Sequence, residues 1–413
     1  MFGWELPPIF AGGIGMVCYD LIKSLSAQDV EITYVMPFGP QNFQSELDTN
    51  VIIAENVVPT IKNVQVKVVK TLFKAYQTPA EYEVSYKQVN AGQELTDIGP
   101  KKKRTKLYGE DLFTEVDYFA KRAFELAVNI EFDVVHAHDW MTFPAATAAA
   151  DRAKKPLVVH IHNTVYDRYL GNFSEHERDI EYNGMARADT VIAISQYVKD
   201  MIINKYGIDP NKIEVVHNAP NTMYDPNEAH EPLNFGGNKM VLYAGRVTGQ
   251  KGPEYFIQTA KRICDVRDNV MFVMAGTGDL QKKCIDMAND QGIGHKMLFT
   301  GFFTPQEGKQ LFGSADCFVM PSVSEPFGIV PMESMLKGTP AVISKTSGCA
   351  EVLSHTLKAD FWDIDHMANQ IVSVLDHPCL KESLSENGFK QVSVMNWEKP
   401  AKQCIDVYNK VRN

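Results

Sequence analysis

Short apolar runs alternate along most of this chain with segments whose apolar residues recur every three or four positions. Runs at 30–35, 134–138, 157–162, 191–195 and 215–217 in the first half, and at 241–245, 270–275, 297–300, 317–321 and 341–344 in the second, have the length and continuity of buried parallel strands. Between them lie helical stripes such as Ile14, Val17, Cys18, Leu21, Ile22 and Leu25, or Val116, Phe119, Ala120, Ala123, Phe124 and Ala127. This alternation predicts an α/β protein with helices on both faces of parallel sheets, and ten strands divide better into two doubly wound sheets than into one.

Residues 219–238 hold Pro220, Pro226, Pro232, Gly236 and Gly237, which break helix and ladder alike. The expected organisation is therefore an N-terminal domain at 1–220, a linker at 221–238 and a C-terminal domain at 239–395. A closing helix at 396–413 carries Trp397, Ala401, Cys404, Tyr408 and Val411 at helical spacing. Two regions break the rhythm. Residues 41–107 read as an insertion with a half-exposed strand at Val64, Val66 and Val68, and Lys101, Lys102, Lys103, Arg104 and Lys106 read as a solvated basic loop. Only Met1 to Trp4 precede Glu5, Pro7 and Pro8, so the first strand is barely long enough and the native start is expected a few residues upstream of Met1.

Composition narrows the chemistry. With 413 residues, 45% of them hydrophobic, the chain can bury the cores of two or three domains. Its 41 basic and 51 acidic residues give a net charge of -10, which opposes a broad grip on nucleic acid or anionic membrane. The seven cysteines are scattered singly, as in reduced cytosolic proteins. No apolar run reaches the roughly 18 residues of a membrane span, so a cytoplasmic protein acting on small molecules is expected.

Three clusters carry chemistry. Ala11, Gly12, Gly13, Ile14 and Gly15 stand between a short strand and an amphipathic helix, where free amides and missing Cβ atoms let an anion approach; the spacing is neither a dinucleotide fingerprint nor a P-loop. Gly245, Arg246, Lys251 and Gly252 follow the first strand of the second sheet, at the edge where open α/β sheets bind ligands. A guanidinium fork and an ammonium five residues apart suit one diphosphate. In the third cluster, Glu325 to Glu333, Glu325 falls in a loop and Glu333 in the first turns of a helix expected to open near Gly328 and end at Gly338. The two carboxylates can accept bonds from sugar and ribose hydroxyls while the amides of Phe327, Gly328 and Ile329 face a phosphate.

These residues, with His136-Ala137-His138-Asp139-Trp140 and His162-Asn163, resemble a retaining GT-B glycosyltransferase over nearly the whole chain. Within that superfamily they are similar to family four and to its glycogen and starch synthase branch. Where that branch carries a lysine before the paired glycines, this chain has Phe10 and Ala11. Ser347, Gly348, Cys349, Ala350 and Glu351 resemble the family's donor-side glycine pair and acid, with only Gly348 kept of the pair.

The resemblance implies two Rossmann-like domains facing each other across a cleft, with the terminal helix crossing back to the first domain. It implies that Arg246 and Lys251 hold a donor diphosphate, that Gly12 and Gly13 approach it from the opposite domain, and that Glu333 binds the ribose. It places Glu325 on the donor hexose, His162 beside the transferred sugar and Asp139 in the acceptor pocket. The implied reaction moves a hexose, glucose first, from ADP-glucose or UDP-glucose to a carbohydrate hydroxyl, an α-glucan above all, with retention and without cofactor or metal.

Alternatives remain at this level: a small or lipid-linked sugar acceptor, a nonhydrolysing sugar-nucleotide epimerase, a metal-dependent hydrolase, or a noncatalytic nucleotide-sugar binder. Asp363-Ile364-Asp365 superficially matches a manganese acid pair, but helix capping by aspartate explains it better. His136, His138, His160 and His162 alternate on two strands and could meet a metal, yet core or pocket histidines are the expected reading. The sequence leaves the nucleobase, the acceptor length and the oligomeric state open.

Overall fold

In a computed structural model, residues 1–7, 13–37, 50–53, 112–171, 173–221 and 232–412 are described. Phe10, Ala11, Gly12, the valines at 64, 66 and 68, the basic run Lys101 to Lys106, and Pro226 lie outside them. The chain divides into two compact units: Met1–His160, Ile180–Thr190 and Tyr408–Asn413 form the first, and Ile161–Asp179 and Val191–Val407 the second.

In the first unit, β1 (Thr33–Met36) pairs in parallel with β2 (Asn50–Ile53), and β3 (Val135–His138) with β4 (Leu157–Ile161). The start of the chain lies between β1 and β3: Phe2 bridges both Val35 and Ala137 in parallel. Its amide donates to the His136 carbonyl at 2.7 Å and its own carbonyl accepts from His138 at 3.1 Å. The short first strand expected here does not form; single bridges on both sides hold Phe2 in place instead. Met1 N donates to the Thr33 carbonyl at 2.7 Å.

The helix Gly13–Ser26 buries Val17, Cys18, Leu21, Ile22 and Leu25 as its stripe predicts. In the helix Leu112–Leu126, Phe119 meets the rings of Phe2 and Trp4 at 5.8 and 6.2 Å. Phe124, expected in that stripe, is instead 47% exposed, with the Arg152 guanidinium over its ring.

Strand β5 (Thr190–Ala193), in the second unit from Val191 on, pairs with β6 (Ile213–Val215). The run expected at 191–195 stops as a strand at Ala193, because Ser195 caps the helix Gln196–Met201, its Oγ accepting the Val198 amide at 3.1 Å. The strand expected at 215–217 lies two residues earlier, directly after the tight turn Pro210–Lys212.

Strands β7 (Lys239–Ala244), β8 (Val270–Ala275), β9 (Met297–Gly301), β10 (Cys317–Met320), β11 (Ala341–Ser344) and β12 (Leu357–Ala359) form one parallel sheet in the order β12-β11-β10-β7-β8-β9. Five of the six follow predicted runs. β12 has no such run, being three residues with a lysine at the centre on an edge. The order reverses between β7 and β10, which is where doubly wound sheets open a crevice at the carboxyl ends of their strands.

On this sheet, Phe256, Ile257, Ala260 and Ile263 of the helix Pro253–Cys264 share one core with Met367, Ile371 and Val374 of the helix Ile364–Asp376 and with Phe272 and Met274 of β8. Apart from Ala260, each such side chain contributes about 1.5–3 kcal/mol of burial. Asp363 caps the helix Ile364–Asp376 as expected, its carboxylate accepting the His366 amide at 3.0 Å. The Trp397 indole donates to the Pro220 carbonyl at 2.9 Å. Among the described residues, no helix is long and apolar enough to cross a membrane.

Candidate functional site

The loop after β7 carries Arg246, runs through a tight turn at Gly249–Lys251, and enters the next helix through Gly252 at φ +62°. A Cβ on Gly252 would lie 2.1 Å from the Pro321 carbonyl oxygen, so the loops after β7 and β10 meet backbone to backbone. That approach brings Lys251 to Glu325: their side chains form an ion pair, and Ser322 Oγ donates to the same Glu325 Oε2 at 3.2 Å. Gln250, which sequence reasoning passed over, ties the arrangement together. Its carbonyl accepts the Val323 amide at 3.0 Å and its side-chain oxygen accepts from the Arg246 guanidinium at 3.3 Å. The Tyr243 hydroxyl donates to the Arg246 carbonyl at 2.7 Å, which fixes that backbone while the Arg246 side chain stays exposed.

Glu325 is 5% exposed. Its amide donates to the Thr346 carbonyl, and its own carbonyl accepts from Gly348. Further on, the Cys349 amide donates to the Phe327 carbonyl at 2.7 Å, and Ser195 Oγ to the Pro326 carbonyl at 2.7 Å. The following helix spans Val330–Leu336, opening two residues after Gly328 and ending two before Gly338. Gly328, at φ +93°, stands outside right-handed helical geometry, and Pro331 sets the first turn. Phe327 and Gly328 therefore offer loop amides, and Ile329 offers the amide of the helix N-cap. Glu333 does lie in the first turn and is buried.

Three further polar residues adjoin Glu325 and were not legible in the chain. Ser324 Oγ donates to Asp167 Oδ1 at 2.5 Å and sits 2.8 Å from the Tyr197 hydroxyl. Asp167 also accepts from the Thr164 amide and hydroxyl, closing a capping box on the short helix Val165–Tyr169. Thr164 three residues ahead of an acid was the available local signal. His162, just before that turn, is buried, and burial lowers its pKa to about 3. Its imidazole is therefore neutral near pH 7 and acts as a hydrogen-bonding group without charge.

Glu351, whose position resembles the family's donor-side acid, holds a helix start in this structure. Its carboxylate accepts the amides of Gln196 and Tyr197 at 2.9 and 2.7 Å and faces His217 Nε2 at 2.9 Å, which anchors the helix Gln196–Met201. Burial alone would raise the Glu351 carboxyl, but the His217 bond and the two amides outweigh it and hold the pKa below its ordinary 4.5. A depressed carboxyl stabilises the fold above its unfolded pKa, and that contribution is lost as pH falls through the folded value. Denaturant midpoints of the wild type should fall on acidification below about pH 4.5, and Glu351→Gln should flatten that part of the profile. Superimposable profiles would show that the carboxylate contributes nothing there. His162, with its pKa lowered, adds a separate decline with falling pH that both proteins share.

Two candidates belong to the first unit. Gly13 opens the helix Gly13–Ser26, with open space where a Cβ would stand. Two residues on, the Gly15 amide donates to the buried Glu5 carboxylate at 2.9 Å, so this helix start already carries an anionic partner from its own chain. Glu5, two residues before the paired prolines, was the residue missed here. Asp139 is buried at φ 58°, ψ 166°, a region that non-glycine residues enter at a cost of about 1–3 kcal/mol and that concentrates at functional sites.

The family described as Glycosyltransferase Family 4 matches residues 11–223, and Glycosyl transferases group 1 matches 225–391. The chain is 33% identical over 295 residues to an uncharacterized glycosyltransferase of Methanocaldococcus jannaschii, covering 67% of this chain and 75% of that one. It is 25% identical to a glycogen synthase of Mycobacterium tuberculosis over 99% of this chain and 93% of the relative. Among solved structures, the sucrose-phosphate synthase of Thermosynechococcus elongatus superimposes with a TM-score of 0.71 at 18% identity, over 98% of this chain and 94% of that one. The chain therefore belongs to Glycosyltransferase Family 4, has the GT-B fold, and is a glycosyltransferase that uses a nucleotide sugar.

Proposed function

We propose that the protein moves a glucosyl residue from ADP-glucose or UDP-glucose to a hydroxyl of an α-glucan, with retention and without a metal in the transfer step. The observation that carries this reading is the Lys251–Glu325 pair at the reversal of strand order, with Arg246 exposed on the same loop. The similarity to a glycogen synthase along almost the whole chain supports the acceptor class.

Breaking the anomeric C–O bond sends its electron pair to the diphosphate while the sugar becomes oxocarbenium-like. Fixed cations on the phosphates are therefore worth more in the transition state than in the ground state. Arg246 supplies a fork and Lys251 a point charge. The acceptor hydroxyl attacks from the face the diphosphate leaves, and the departing phosphate oxygen takes its proton. Glu325 accepts from the hexose, Glu333 from the ribose, and neutral His162 bonds a hydroxyl of the transferred sugar. Amides of Phe327 and Gly328 in the loop and of Ile329 at the helix N-cap serve the phosphates. For Gly12, Gly13 and Asp139 the support is the resemblance alone. A cytoplasmic location and a domain division at 1–220, 239–395 and 396–413 complete the proposal; the junction of the two family matches between 223 and 225 supports the division.

A panel of nucleotide sugars with maltooligosaccharides, analysed by product mass and linkage, tests it. α-Linked glucosyl extension from ADP-glucose or UDP-glucose is expected. Glu333→Ala should weaken donor affinity about 10- to 100-fold, as for hydrogen bonds to a charged group. Conversion of donor alone into an isomeric nucleotide sugar, or transfer only to a small acceptor, would sink the α-glucan reading, and unchanged donor affinity in Glu333→Ala would remove that role.

A further inference from the structure

Strand alternation puts His136 and His138 of β3 on one face of the sheet, and parallel register sets His160 of β4 opposite His138. All three rings are buried, at 3%, 1% and 2% exposure. Their centroids lie 4.4 Å apart for His136 and His138, 5.2 Å for His138 and His160, and 5.4 Å for His136 and His160. One ring nitrogen from each lies within 4.8 Å of the others. Core packing alone would favour hydrocarbon here, and three imidazoles converging through nitrogen is instead the arrangement of a nitrogen-donor metal site.

We infer that His136, His138 and His160 bind one zinc-type divalent transition-metal ion in the first unit, a site separate from the residues proposed for sugar transfer. Neutral imidazoles are the ordinary ligands of such ions, and three of them leave a fourth tetrahedral position for water. Zinc–nitrogen bonds of about 2.0–2.1 Å require nitrogens about 3.3–3.4 Å apart, within reach of modest ring rotations from the present spacing. The Tyr408 hydroxyl stands 2.7 Å from His136 Nδ1, which directs that ring to ligate through Nε2. A hydrogen-bonding group on the non-ligating nitrogen is the usual companion of a metal-bound histidine, fixing its tautomer and orientation. The ion would tie β3 and β4 to the chain's C-terminal end through Tyr408. Because none of these residues belongs to the donor machinery proposed above, the inference stands or falls independently of the substrate.

The test uses the full chain, stripped with chelator, dialysed against zinc and assayed for bound metal, with cobalt titrated in parallel as a spectroscopic probe. One zinc per chain is expected, together with the intense visible absorption of tetrahedral cobalt. His138→Gln and His160→Gln should each weaken zinc affinity by more than 100-fold, and Tyr408→Phe by about 10- to 100-fold, the usual range for an outer partner. Failure of the wild type to retain stoichiometric zinc would overturn the inference. So would a histidine double variant that retains one zinc at unchanged affinity, since the metal would then sit elsewhere. If the histidine variants do not fold, the wild-type cobalt spectrum and Tyr408→Phe decide: octahedral, weakly absorbing cobalt or undiminished affinity in Tyr408→Phe counts against the site.

Discussion

Lys251→Ala should lower stability by about 3 kcal/mol, the low end for breaking a buried ion pair, because it leaves the Glu325 carboxylate buried without its cation. The low end applies because the Lys251 side chain keeps 22% exposure and Ser322 still donates to Glu325. The same substitution should reduce kcat/KM about 10²- to 10³-fold, the effect of losing one fixed donor to a developing anion. Stability and chemistry separate in the double variant. Adding Glu325→Gln removes the stranded charge, so the denaturant midpoint should recover most of its loss while transfer stays depressed. If the double variant regained activity along with stability, Lys251 would be structural and the diphosphate role would be wrong.

Arg246→Ala should show the opposite division. Its side chain is exposed and its one described hydrogen bond is to Gln250, so the stability change should stay within about 0.5 kcal/mol. Transfer should nevertheless fall about 10²- to 10³-fold in kcat/KM. Arg246→Lys keeps the charge but loses the planar fork and should recover only part of the rate. Denaturation curves and steady-state kinetics on the two variants check this. A marked loss of stability, or full activity in Arg246→Ala, would remove it from the proposed machinery.

The degree to which the site could be read in advance varies residue by residue. Arg246, Lys251, Glu325 and Glu333 were legible as candidates because they fall in the loops after two strand runs or in the first turn of a helix, and both signals are local. Gln250 was not, since a glutamine in a turn has no pattern of its own and acquires its role only when the Val323 amide reaches its carbonyl. Asp167 and Ser324 are 157 residues apart, and Tyr197 lies 127 from Ser324. Glu351 carried a family-like position, yet its carboxylate holds a helix start that the chain places 154 and 155 residues earlier. The late opening of the helix at Val330 turned on one backbone angle, φ +93° at Gly328, which composition leaves free.

Taken alone, the amino-acid order determined an α/β protein with two sets of parallel strands, and the cations and carboxylates flanking the strands of the second set. Periodicity is a property of neighbours, and those features depend only on neighbours. The tertiary structure alone decided the strand order β12-β11-β10-β7-β8-β9, the meeting of Lys251 with Glu325 across 74 residues, and the register that sets His160 beside His138. Strand adjacency and register follow from which distant faces bury together once the chain closes on itself, and no local pattern encodes that choice.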